Sequence, residues 1–140
     1  MEKSQTALSP EEIRERLKPL FGDQELKLII LFGSTASGTM HKKSDIDLAL
    51  LFDGPVDSLI LTNKINRILR TDKVDVVDLR RASPLLRFCA ARQGKAIYER
   101  APGLFSEFCS LSFRMYVDTK KLRDAQAQAI RHFLKERGLA

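Results

Sequence analysis

The stretch from Leu28 to Phe52, LIILFGSTASGTMHKKSDIDLALLF, limits the possible folds more than any other part of this chain. An apolar run, Leu26 to Phe32, stops at Gly33-Ser34. A polar loop, Thr35 to Ser44, follows. A second apolar run, Asp45 to Phe52, stops at Asp53-Gly54-Pro55, a strong turn signal. The first run is apolar on both faces, as a covered central strand would be. Strand side chains alternate between faces, so in Asp45-Ile46-Asp47 the two aspartates share one face, and Ile46 and Leu48 take the other. Carboxylates at that spacing lie roughly 6–7 Å apart. At an effective dielectric of about 20 they repel by roughly 2–3 kcal/mol. A hard divalent cation turns that penalty into a binding site.

The rest of the chain reads as alternating helices and strands. Ser9-Pro10-Glu11-Glu12 starts a helix with a capping box, and Ile13, Leu17 and Leu20 form its inward stripe. Pro19 and Gly22 end it. A helix is predicted over Asp57 to Arg70, and a short β-branched strand over Lys73 to Leu79. Ser83-Pro84 starts a further helix that runs to Gln93 and closes at Gly94. Ala96 to Tyr98 is a fourth short strand. After Pro102-Gly103, residues Leu104, Phe108, Leu111, Met115, Leu122, Ala125, Ala129 and Phe133 recur at helical spacing. That predicts one long amphipathic helix, or two with a kink near Asp118-Thr119, and packing on the sheet accounts for most of the stripe. The fold class is therefore α/β: a small mixed β-sheet of about four strands flanked by helices, with a long C-terminal helix.

A chain of 140 residues fits a single domain, with residues 1–99 as sheet and helices and 103–138 as a helical segment. No apolar run reaches the roughly 20 residues needed to cross a bilayer, and the N-terminus lacks an apolar signal core. A cytoplasmic location without membrane contact is expected. Cys89 and Cys109 lack metal-ligand spacing and read as buried free thiols. The net charge of +6 favours acidic partners. The basic residues are scattered, however, and no aromatic-basic interleaving appears, so direct nucleic-acid binding is not expected.

Three features carry chemistry. Gly33 lets the backbone approach a ligand closely, and Ser34 adds a hydroxyl for phosphate oxygens. Asp45 and Asp47 form the acidic pair. Asp75 sits in the Lys73–Leu79 strand, facing away from Val74 and Val76, and a lone aspartate buried there costs several kcal/mol unless paired or metal-bound. Strand parity favours Asp75 over Asp78, which reads as solvated or a turn cap. His41 with Lys42 and Lys43 reads as an exposed loop, His132 and Arg80-Arg81 as surface groups, and Arg92 as a helix-dipole partner.

Gly33-Ser34, Asp45-Ile46-Asp47 and an aspartate on a later strand together resemble the DNA polymerase β-type nucleotidyltransferase superfamily. The length, the segment Arg92 to Glu99 and the stretch Phe113 to Asp118 are similar to its minimal branch, the MntA-type antitoxins paired with HEPN-domain toxins. The resemblance implies that Gly33 and Ser34 bind the β- and γ-phosphates of ATP. It implies that Asp45 and Asp47 ligate Mg²⁺, and that Asp75 completes the cluster as ligand to a second Mg²⁺ or as proton acceptor. It implies transfer of AMP from ATP to a tyrosine of a partner HEPN toxin, with the last helix contributing to the complex. The chain has no spare residues for an acceptor domain, so a partner must supply much of that site. Nucleotidyl transfer to a small molecule or RNA, and a non-catalytic binding antitoxin, are the alternatives.

Overall fold

The computed structural model describes residues 8–33 and 46–139. Among these, the strands are β1 (Leu26–Phe32), β2 (Ile46–Phe52), β3 (Val74–Asp78) and β4 (Lys95–Glu99). They form one mixed sheet in the order β3-β2-β1-β4. β1 is antiparallel to both β2 and β4, and β2 runs parallel to β3. The helices are α1 (Pro10–Leu17), α2 (Ser58–Leu69), α3 (Pro84–Gln93) and α4 (Leu104–Glu136), and a 3₁₀ turn, Lys18–Leu20, follows α1.

Alternation along the strands sorts the core into two layers. Ile46, Leu48, Leu50 and Phe52 of β2 pack with Ile13 and Leu17 of α1 and with Leu61, Ile65 and Leu69 of α2. Ala49 faces the other way, into a cluster with Leu28, Ile30, Leu79, Ala90 of α3 and Phe108 of α4. Both faces of β1 are covered, and Leu28 to Leu31 are fully buried, which is why this run is continuously apolar. Each such side chain contributes about 1.5–3 kcal/mol by its removal from water.

Capping residues set the helix starts. Ser9 Oγ accepts from the Glu12 backbone N–H at 3.2 Å while Glu12 Oε1 accepts from the Ser9 N–H at 2.8 Å. Asp57 stands outside α2 as its cap, with Oδ1 accepting from the Leu59 and Ile60 N–H groups. Ser83 Oγ accepts from the Leu86 N–H to start α3.

Gly94 ends α3 for a different reason from the one expected. It has φ −91° and ψ 165°, an extended conformation open to any residue. Its lack of a side chain matters because a Cβ would overlap the Ala90 carbonyl oxygen and Ile30 Cγ2. Gly94→Ala is expected to cost about 1–3 kcal/mol by overpacking against backbone that cannot yield. Urea unfolding would read this as a lower midpoint at unchanged slope.

The open end of the β1–β2 pair, away from the Gly33 turn, is tied to the end of β4 by Arg100, whose guanidinium donates to Asp53 Oδ2 and to the Gln24 carbonyl, both at 2.7 Å. The hydrogen bond from Arg100 holds the Asp53 carboxyl below its ordinary pKa. A lowered folded-state pKa means the contribution is present above the unfolded value of about 3.9 and lost as pH falls through the lower folded value. The Tm difference between wild type and Asp53→Asn should therefore be small but steady between about pH 5 and 8, and should close below about pH 4.

α4 is one continuous helix of 33 residues, about 50 Å long. Only its first part packs as the stripe predicts. Phe108 is buried and Leu104 and Met115 are half-buried, but Leu111, Leu122 and Phe133 are exposed. Phe88 of α3 stacks on Tyr116 at 4.1 Å, and Arg123 lies over the other side of Tyr116. Beyond Arg123, every described residue except Leu134 is exposed. The stripe therefore continues past the point where there is a sheet to cover, and packing explains only its first half. The cysteines are free and half-buried, and burial pushes the Cys109 thiol up from its ordinary pKa. No helix among the described residues is long and apolar enough to cross a membrane.

Candidate active site

The parallel pairing of β2 and β3 builds the centre of the site. Asp47 and Asp75 are register partners, as are Ala49 and Val77 two residues on. Register partners on neighbouring strands point to the same face, and strands lie roughly 4.8 Å apart, so the two carboxylates emerge side by side. The shared face is the one covered further along by α3 and α4, because Ala49, Val77 and Leu79 belong to that layer. The strand start is pinned where it matters: the Ile46 N–H donates to the Lys73 carbonyl at 2.8 Å, immediately before the paired aspartates.

The end of β1 supplies the third part. Phe32 is the register partner of Asp47 on its other side, so the turn at Gly33 arrives beside that carboxylate. Gly33 has φ +81°, a conformation that favours glycine. A Cβ at Gly33 would overlap Asp47 Oδ2. The glycine thus permits the turn and leaves space over the carboxylate oxygen.

Of the five residues singled out in the sequence, Gly33, Asp47 and Asp75 are brought together. Ser34 and Asp45 lie outside the described residues, as do His41, Lys42 and Lys43. Among the described residues, no third carboxylate, histidine or cysteine completes a metal cluster with this pair. Asp75 is exposed on the edge strand, so the expected penalty for burying a lone aspartate does not apply; strand parity alone puts it on the face of Asp47. Asp78 is half-buried beyond the site, where Oδ1 accepts from the Arg80 N–H as a turn cap. His132 and Arg92 are exposed, and His132 lies 3.1 Å from Glu136.

The donor set suits a hard cation. Two adjacent carboxylates offer only oxygen ligands, one of them part-exposed and the other open to solvent, so Mg²⁺ could retain waters and share phosphate oxygens. The pair fits the role of holding a metal-nucleotide complex.

One feature of this face was not visible in the sequence. At the opposite end of β2 a cleft of about 650 Å³ opens between the sheet and the first turns of α4. It is lined in part by Lys27, Arg87 and Arg114, which lie far apart in the chain and carry no shared motif.

Likeness to known proteins runs over most of the chain. The profile of the Polymerase beta, Nucleotidyltransferase family matches residues 15–102. Protein adenylyltransferase MntA of Aphanizomenon flos-aquae is 30% identical over 141 aligned positions, covering 91% of this chain and 94% of that protein. A crystal structure of a toxin-antitoxin with AMP-PNP superposes with a TM-score of 0.74 at 31% identity, covering 89% of this chain and 99% of that one. The MNT antitoxin in complex with the tri-AMPylated Shewanella oneidensis HEPN toxin superposes with a TM-score of 0.70 at 28% identity, covering 87% of this chain and 98% of that one.

Proposed function

The chain belongs to the polymerase β nucleotidyltransferase family, and from that premise we propose that it transfers AMP from ATP to a tyrosine hydroxyl of a partner HEPN-domain toxin and thereby acts as its antitoxin. The observation that carries this reading is the side-by-side emergence of Asp47 and Asp75 beside the Gly33 turn. Likeness to adenylyltransferase antitoxins over nearly the whole chain supports the choice of acceptor.

The chemistry is a displacement at the α-phosphorus of ATP. The tyrosine oxygen forms a bond to that phosphorus, the bond to the bridging oxygen of the β-phosphate breaks, and pyrophosphate leaves with the electron pair. The phenolic proton, with an ordinary pKa near 10, passes to a base. Asp75 is our candidate for that base, since it is open to an incoming protein. Gly33 and Ser34 would hold the β- and γ-phosphates. Asp45, Asp47 and Asp75 would hold Mg²⁺, which when bound neutralises charge on the phosphates and leaving group. The described residues outside the domain core leave much of the acceptor site to a partner. The exposed second half of α4, with Leu122, Ile130 and Phe133 facing solvent, is our candidate for part of the contact.

Labelled ATP tests this directly. With Mg²⁺ and the co-expressed toxin, label in the α-phosphate should appear on a toxin tyrosine, and label in the γ-phosphate should not. Label from the γ-position, or label on RNA with none on the toxin, would overturn the reading. Neutralisation of the toxin with no label from either position would leave a binding antitoxin.

A further inference from the structure

The basic cleft at the far end of the sheet has no part in the chemistry above. Leu28 and Leu51 at its floor are register partners, just as Phe32 and Asp47 are at the other end of the same strand pair. Leu51 lies four positions after Asp47, so the two places lie about 13 Å apart on one sheet face. The cleft combines an apolar floor with three cations and a single carboxylate, Glu107. Glu107 forms no ion pair with any of the three, and among the described residues no carboxylate lies within 4 Å of Lys27, Arg87 or Arg114.

Arg87 is the most constrained of these cations. It is half-buried, one terminal nitrogen donates to the Leu79 carbonyl at 2.6 Å, and its guanidinium lies 5.3 Å from the centre of the Phe108 ring. Its Nε–H is buried without a partner. Burial pulls its pKa down, yet a guanidinium stays charged, so the group is partly stripped of water with no counter-ion supplied by the described residues. An anion in the cleft would relieve that cost. Arg114 of α4 and Lys27 of β1 line the same cleft, and Lys27 also helps lower the pKa of Asp53 beside it.

We propose that this cleft is a docking site for an acidic, apolar-flanked segment of the partner protein, a second point of attachment away from the transfer site. This rests on the reading that the chain acts on a protein partner. The charge complement asks for aspartate or glutamate, and the accessible Leu51, Leu104 and Leu111 ask for an apolar neighbour beside it. Two attachments raise the effective concentration of the acceptor hydroxyl at the aspartates, which suits a chain whose described residues include no acceptor domain.

Arg114→Glu and Lys27→Glu test the site, because both side chains are outside the apolar core and neither lies near the aspartates. The dissociation constant for the co-expressed toxin, measured by calorimetry without ATP, should rise roughly tenfold in each. In transfer assays KM for the toxin should rise while kcat and KM for ATP hold. Arg114→Lys should restore most of the affinity. Unchanged affinity in both charge reversals, a loss of kcat in place of the KM change, or a wild-type chain that does not bind the toxin would overturn the proposal. A wild-type chain that binds the toxin through the cleft but transfers nothing would sink the enzymatic reading and leave the docking site standing.

Discussion

Asp47→Asn should lower kcat for AMP transfer by about a thousandfold, which corresponds to about 4 kcal/mol of transition-state stabilisation. The substitution keeps the shape of the side chain and removes its charge. Asp47 is the only aspartate of the described residues that adjoins both Gly33 and Asp75, so its carboxylate sits where a metal-nucleotide complex would be held. The half-buried position on an interior strand tolerates asparagine, because the ladder bonds of β2 are made by backbone. Circular dichroism and the urea midpoint should therefore match wild type. Loss of activity together with the fold would show instead that Asp47 serves the sheet. Full activity in a folded Asp47→Asn protein would remove the aspartate from the chemistry.

Gly33→Ala carries the second large effect. Two costs coincide there: φ of +81°, which a side chain resists, and overlap of the new Cβ with Asp47 Oδ2. The backbone cost is about 1–2 kcal/mol. The overlap forces either the turn or the carboxylate to shift, and a displacement near 1 Å at a reacting centre costs about a hundredfold in rate. We expect stability to fall by the smaller amount and kcat/KM by the larger. The pair with Asp47→Asn separates the two. Once the carboxylate is replaced, the part of the Gly33→Ala loss that acts through Asp47 should vanish, so the combined loss should be less than the sum of the two. Fully additive losses would mean that Gly33 acts only through the phosphates and not on Asp47.

Much of the architecture could be read from local rules. The doubly apolar run of β1 announced a strand covered on both sides, and it lies between β2 and β4 with both faces buried. Ser9 and Ser83 marked helix starts through cap chemistry that acts over three residues. Asp57, expected as the first residue of its helix, stands one place outside it as the cap. Parity placed Asp75 on the face of Asp47 without any knowledge of register.

What escaped the sequence depends on distant contacts. Nothing near Gly94 reports that Ile30, far earlier in the chain, fills the space a Cβ would need. The stripe of α4 has the same period whether or not a sheet lies beneath it, so the point near Arg123 where cover ends was invisible. The exposure of Asp75 follows from β3 lying at the sheet edge, which strand composition does not encode. Lys27, Arg87 and Arg114 meet only because β1, α3 and α4 converge on one end of the sheet.

The central claim is that Asp47 and Asp75 jointly hold the metal-nucleotide complex. Manganese as a paramagnetic stand-in for Mg²⁺, added with a non-hydrolysable ATP analogue, reads it most directly through nuclear relaxation. Backbone amide signals of Gly33, Asp47 and Asp75 should broaden most, those at Leu51 along the same strand should broaden less, and Asp47→Asn/Asp75→Asn should abolish the effect. Broadening centred elsewhere, or surviving unchanged in the double variant, would contradict the account.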